Sequence, residues 1–132
     1  MCIFCDIVKK EIPCHKIYEN SEVLAFLDIA KDTEGHTLVI PKKHCENILD
    51  CPPQVLKKVI EAVAEISRHY VSKCGYEGVN VLNASGASAQ QSVFHLHFHI
   101  IPRKKEDGID AWPFKDKKDY PLSDIAEKLK LS

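Results

Sequence analysis

Three histidines, His95, His97 and His99, occupy alternate positions in the stretch SVFHLHFHIIPR, residues 92–103, with an apolar residue in each gap. Imidazole is a nucleophile, a metal ligand and a proton carrier near neutral pH, so a row of three suggests divided labour at one reaction centre. In an extended strand successive side chains take opposite faces. Val93, His95, His97, His99 and Ile101 would then share one face, and Phe94, Leu96, Phe98 and Ile100 the other. With a rise of roughly 3.3 Å per residue, neighbouring histidines lie about 7 Å apart at Cα and the outer two about 13 Å. One metal ion reaches two of them but hardly all three. A lone strand histidine is usually a solvated or hydrogen-bonded structural residue; strict alternation against a fully apolar face is what points to a site.

A second set of groups with chemical potential opens the chain. Cys2 and Cys5 have C-x-x-C spacing, which lets two thiolates clamp one tetrahedral ion, and His44 ends the segment PKKH. Alone, one such pair fits a redox couple or chance equally well. Cys14, Cys45, Cys51 and Cys74 have no ligand spacing and read as small buried or surface thiols.

The elements that must position these residues follow from periodicity. HKIYE, VLAFLDI and HTLVIPK are short β-prone runs separated by Asn20, Ser21 and the polar stretch AKDTEG, and they read as successive antiparallel strands. Between Pro53 and Gly75, Val55, Leu56, Val59, Ile60, Val63, Ile66 and Tyr70 recur near the 3.6 period, which predicts one long helix lying on the sheet. GVNVLN and SVFHLHFHII supply two more strands, and a short helical pattern runs from Ser123 to Leu131. This order predicts an α+β fold, a mainly antiparallel five-stranded sheet with one long helix packed on it and short terminal helices. At 132 residues, 45% hydrophobic and 28% charged, without repeat or linker, residues 1–132 are expected to form a single domain around one core.

Charge narrows the partners. Eighteen basic against nineteen acidic side chains leave a net charge of -1, so no broad footprint for nucleic acid or an anionic membrane is expected. No stretch is long and apolar enough to cross a bilayer. A cytoplasmic protein with free or metal-bound thiols is the expectation.

HLHFHII matches the His-Φ-His-Φ-His-Φ-Φ signature (Φ apolar) of the histidine triad family without a mismatch, and the chain resembles the small Hint-type branch over nearly its whole length. IFCDIVKKEIP resembles that family's N-terminal segment, LAFLDI its ribose-binding strand and GHTLVIPKKH the strand after it. The resemblance implies a nucleotidyl hydrolase or transferase that cleaves nucleoside 5′-monophosphate conjugates, such as phosphoramidates, acyl adenylates or dinucleoside polyphosphates, at the α-phosphate. It assigns His97 as the nucleophile, oriented by the backbone carbonyl of His95. His99 and His36 would flank the phosphate, with Ser92 donating to the leaving group or a phosphate oxygen and Gln91 beside it.

The same resemblance implies that Asp28 binds the ribose hydroxyls and that Ile3, Phe4, Ile7, Ile12 and Leu38 pack base and sugar of a purine nucleotide. Without it, Asp28 reads as a turn residue and the apolar positions as core. It implies one structural zinc per chain on Cys2, Cys5, His44 and His95, and a homodimer. One departure stands out: where many family members have an N-x-G-x-x-x-G-Q-S run, this chain reads ASGASAQQS, with Ala84 for the usual asparagine and Gln90 for a usual glycine. Asn83 is the nearest amide to substitute for the one lost at Ala84. Two readings from other classes stay open, a nucleotide-binding module with little or no turnover and a hydrolase whose histidines hold a catalytic metal.

Overall fold

The structure is a computed structural model and describes residues 1–113 and 115–132. A short helix α1 (Ile3–Val8) is followed by strands β1 (Lys16–Glu19), β2 (Val23–Leu27) and β3 (Thr37–Pro41), the long helix α2 (Pro53–Lys73), β4 (Gly78–Leu82), β5 (Phe98–Arg103) and a terminal helix α3 (Leu122–Leu129). The five strands form one antiparallel sheet in the order β1-β2-β3-β5-β4. The expected α+β class is the one observed.

Strand alternation sorts the apolar residues into two cores. Val23, Ala25, Val39, Phe98 and Ile100 meet the α2 residues Val59, Ala62, Val63, Ile66 and Tyr70 on one face. Leu24, Phe26, Leu38 and Ile40 turn to the opposite face, where α1 seals them with Phe4 and Ile7. The period of two in β2 and β3 thus serves two layers at once, which is why these strands read as near-continuous apolar runs. Proline at the first position of α2 fits a helix start, since its missing N–H has no partner there in any case.

Three expectations are corrected. Ile60, placed in the apolar stripe of α2, is 44% exposed, and Ala62 takes the core position instead. The triad strand begins at Phe98, not Ser92, so His95 and His97 lie in a bent segment leading into β5. The bend is held largely by the segment after β3: the Leu96 amide donates to the Cys45 carbonyl at 2.7 Å, and the Gln91 side-chain amide donates to the carbonyls of Glu46 and Val93. These contacts take the backbone groups that a longer ladder would use. Leu96, Phe98 and Ile100 still enter the α2 core, whereas Phe94, expected beside them, is 44% exposed. No helix among the described residues is long and apolar enough to cross a membrane.

Candidate active site and metal site

His97 is buried, and its Nδ1 lies 2.8 Å from the carbonyl oxygen of His95. A carbonyl only accepts, so Nδ1 carries the hydrogen and Nε2 keeps its lone pair, the tautomer that a nucleophile or a general base needs. The backbone of His97 is held in turn: Asn83 Nδ2 donates to its carbonyl at 3.0 Å, and Ser85 Oγ donates to Asn83 Oδ1 at 2.8 Å. The ring of Phe4 stands edge-on to His97 with centroids 5.2 Å apart, so α1 closes one side of the imidazole. The His99 ring also packs against it, with centroids 4.9 Å apart.

His99 and His36 are joined by a 2.8 Å contact between His99 Nδ1 and His36 Nε2. β3 pairs with β5 so that Leu38 is opposite His99, and His36 lies two residues before Leu38, immediately ahead of β3. Gly35, at φ +81°, admits the turn into β3; a side chain there would press on Pro102 at 3.0 Å. His36 Nδ1 lies 2.7 Å from Asp32 Oδ1, so both His36 nitrogens are engaged. His36 therefore stands between Asp32 and His99, with both ring nitrogens engaged within the protein. Burial, then the neighbouring His97 and His36, push the His99 imidazole down to about 4. It is neutral at physiological pH.

The remaining nominated residues separate into three kinds. Asp28 follows the end of β2, with Oδ1 accepting from the Ala30 amide at 2.8 Å and Oδ2 3.8 Å from His36 Nε2, so one oxygen is committed to a turn and the other faces the histidines. Gln91 is buried and saturated: Nε2 donates to Glu46 and Val93, and Oε1 accepts from Asn47 Nδ2 and the Gly86 amide. It braces the loop, and both of its side-chain hydrogens are taken within the protein. Ser92 is exposed on an open cleft of about 990 Å³ that borders Ile3, Ile12 and Phe94 together with Cys2, Cys5 and His44, but not His97 or His99.

Phe4, Ile7 and Leu38 are buried members of the α1-side core, Ile12 packs at its edge and Ile3 is half exposed. Phe26, not among the nominated residues, belongs with them, its ring 5.6 Å from Phe4. Gln90 takes the left-handed conformation, φ +71° and ψ +26°, where the usual glycine would be free of strain; the side chain costs on the order of 1 kcal/mol there. Asp32 was also missed from sequence, although its place four residues before His36 was the available signal.

The other cluster gathers Cys2, Cys5, His44 and His95, whose donor atoms all lie within 4.8 Å of one another. Cys2 is the N-cap of α1, and one helical turn brings Cys5 onto the same side. Sγ of Cys2 and Sγ of Cys5 lie 3.3 and 3.6 Å from His95 Nδ1, and the two histidine Nδ1 atoms lie 3.2 Å apart. A tetrahedral zinc with ordinary Zn–S and Zn–N bonds requires edges of about 3.5 Å for S···N and about 3.3 Å for N···N, so the donors fit the ion. His95 Nε2 donates to the Pro41 carbonyl at 2.8 Å, leaving Nδ1 bare for a metal, the outer-sphere arrangement such ligands need. Burial lowers the His95 imidazole, keeping it neutral. Two ring nitrogens and two sulfurs suit zinc, and four ligands leave no open position for substrate.

The HIT domain family matches residues 9–106. Among curated relatives, an adenosine 5′-monophosphoramidase from Schizosaccharomyces pombe is 41% identical, covering 92% of this chain and 86% of its own length. Among solved structures, a HIT family member from Bacillus subtilis is 44% identical with a TM-score of 0.81 over 99% of each chain. A zinc-bound histidine triad family protein from Mycobacterium smegmatis is 37% identical with a TM-score of 0.78, covering 87% of this chain and 84% of its own. Signature, fold and cluster agree, and the chain belongs to the HIT domain family.

Proposed function

We propose that the protein is a HIT nucleotide hydrolase that cleaves nucleoside 5′-monophosphate conjugates at the α-phosphate through a covalent nucleotidyl-histidine. The observation that carries this reading is the Nδ1 contact of His97 with the His95 carbonyl at 2.8 Å, which leaves Nε2 as a free electron pair in a buried site. Nε2 attacks the α-phosphorus, and the bond from phosphorus to the leaving group breaks as the phosphorus–nitrogen bond to His97 forms. In this reading Ser92 donates to the departing group, the role that the family resemblance implies. Water then cleaves the phosphorus–nitrogen bond, releasing the nucleoside monophosphate and free His97. The activity named for the S. pombe relative supports the substrate class, with an amine as the leaving group.

Asp28 takes the ribose in this reading, through the oxygen left free of the Ala30 turn, and the apolar side chains around Phe4, Ile7 and Phe26 take a purine. A panel of ribo- and deoxyribonucleoside phosphoramidates, assayed for released monophosphate, tests both. Wild type is expected to prefer the ribose form, and Asp28→Asn to narrow that preference by roughly tenfold, the worth of about one charge-assisted hydrogen bond. Equal losses on both sugars would make Asp28 structural. Tight nucleotide binding with no turnover of any conjugate would favour the binding-module reading.

One zinc on Cys2, Cys5, His44 and His95 holds α1 against the segment leading to β5 and leaves the chemistry to His97. Reduced thiols at Cys2 and Cys5 suit a reducing compartment such as the cytoplasm. The working assembly is a homodimer: β4 is an edge strand with Val81 and Leu82 partly exposed, and α2 presents Ile60 and Val71 outward. Edge pairing by a twofold mate would cover both. Sedimentation at micromolar concentration is expected to give twice the chain mass, and a fully active monomer there would refute the assembly.

A further inference from the structure

We propose that Asp28, His36 and His99 form a second metal site, separate from the cysteine cluster, where an exchangeable transition-metal ion and the ribose of a nucleotide exclude each other. The exclusion rests on the nucleotidyl-transfer reading; the site itself rests on geometry. Asp28 Oδ2, His36 Nε2 and His99 Nδ1 gather at one point: each of these residues offers a donor atom within 4.8 Å of the others. His36 Nε2 is 2.8 Å from His99 Nδ1 and 3.8 Å from Asp28 Oδ2. Bonds of about 2.1 Å to one ion require donor separations of about 3.0 Å at a right angle and about 3.4 Å at the tetrahedral angle. The observed distances bracket those values, so shifts of a few tenths of an ångström seat the ion.

The outer partners that metal ligands need are already in place. His36 Nδ1 donates to Asp32 Oδ1 at 2.7 Å, the carboxylate–histidine pairing that fixes a ligand ring and makes its other nitrogen more basic. Asp28 Oδ1 accepts from the Ala30 amide at 2.8 Å, which leaves Oδ2 for the ion. The hydrogens balance as well. In the free site a neutral His36 holds its hydrogen on Nδ1, so its Nε2 accepts from His99 Nδ1. When the ion takes both of those nitrogens, His99 carries its one hydrogen on Nε2 instead. No proton is released, and burial already keeps His99 clear of a competing proton.

Two imidazoles and one carboxylate suit zinc, cobalt(II) or nickel(II), whereas magnesium and calcium take oxygen ligands. The hollow of about 270 Å³ beside Asp28 and His36 gives the ion a path in, with Glu34 on its rim and Lys31 as the opposing charge. Three protein ligands leave a position to water, unlike the closed set of four at the cysteines, so this ion exchanges. It takes the one Asp28 oxygen that the ribose would use. A bound ion therefore blocks the nucleotide.

The experiment starts from protein that carries zinc on its cysteine cluster and adds zinc or cobalt(II) alone. Calorimetry is expected to find one further equivalent, and cobalt(II) there to show d–d absorption without the sulfur-to-metal charge transfer that a cysteine ligand gives. Ring-nitrogen NMR is expected to show the His99 hydrogen moving from Nδ1 to Nε2 as zinc binds. Asp32→Asn, which removes only an outer partner, is expected to weaken the added ion about tenfold, and Asp28→Asn by at least as much. Asp32→Glu is expected to restore most of the first loss. Adenosine 5′-monophosphate is expected to raise the apparent Kd of the added zinc, and zinc to raise KM for an adenosine phosphoramidate with kcat little changed. No further equivalent, a sulfur band, or affinity unmoved in both folded variants would overturn the site. Zinc and nucleotide bound together without interference, or turnover speeded by zinc, would overturn the exclusion. Wild type without turnover of any conjugate would strike the function reading alone, because stoichiometry, spectra and competition with adenosine 5′-monophosphate need no turnover.

Discussion

Replacement of His97 by alanine is expected to abolish turnover and the covalent adduct together, with a loss of at least about a thousandfold, or roughly 4 kcal/mol of transition-state stabilisation. The size follows from the role: without Nε2 there is no covalent path, and water must attack the α-phosphorus directly. Nucleotide affinity and zinc content are expected to stay near wild type. His95 keeps its Pro41 hydrogen bond and its place in the cysteine cluster, and Asp28 and the apolar side chains are untouched. Quenching a wild-type reaction without acid and weighing the intact protein is expected to show a mass increase of one nucleotidyl group, absent from His97→Ala. His97→Gly with added imidazole is expected to recover part of the rate, since the vacated space beside Phe4 and His99 suits a free ring. A His97→Ala enzyme that keeps a tenth of the activity would place the nucleophile elsewhere.

The second large effect concerns the metal cluster. Cys5→Ala is expected to purify without stoichiometric zinc and to unfold on the order of 10 °C lower than wild type, as loss of a structural ion commonly costs several kcal/mol. The two-sided sheet core remains, so the chain is expected to stay folded at room temperature. Activity is expected to fall as well, although no metal ligand touches phosphate in the proposed mechanism. The His95 ring belongs to the cluster while its carbonyl orients His97, and α1, anchored through Cys2 and Cys5, carries Phe4 against the same imidazole. Elemental analysis alongside thermal unfolding checks this. Full zinc occupancy in Cys5→Ala, or an unchanged melting temperature after zinc loss, would remove the cluster from the account.

Much of the architecture was legible because it depends on short-range pattern. The strands β1, β2, β3 and β4, the helix from Pro53 and the C-terminal helix come from periodicities of two and 3.6 bounded by turn residues, and such patterns need no tertiary information. The start of the triad strand was not legible. Its extent depends on whether distant carbonyls take its amides, and the Cys45 carbonyl, more than forty residues away in sequence, does so for Leu96. Ile60 fails for a related reason: a stripe drawn from spacing does not say how wide a face the sheet will cover.

The site divides in the same way. Sequence by itself determined the inventory of chemistry: alternating histidines beside an apolar face, a C-x-x-C pair, a carboxylate at the end of an apolar strand. Those are statements about residue type and spacing along one segment. How the inventory is shared was expected for His95 and His97 only through the family resemblance, and the tie of His99 to His36 and Asp32 came from the tertiary structure, because a histidine's role depends on what each ring nitrogen meets. His95 turns to Cys2, Cys5 and His44, His97 is left with a free Nε2, and His99 is tied to His36 and through it to Asp32. Gln91, chosen for its place next to Ser92, has all four hydrogen-bonding positions taken within the protein. Hydrogen bonds act over about 3 Å between atoms that the chain may separate by tens of residues, so their partners are set by folding and not by order along the chain.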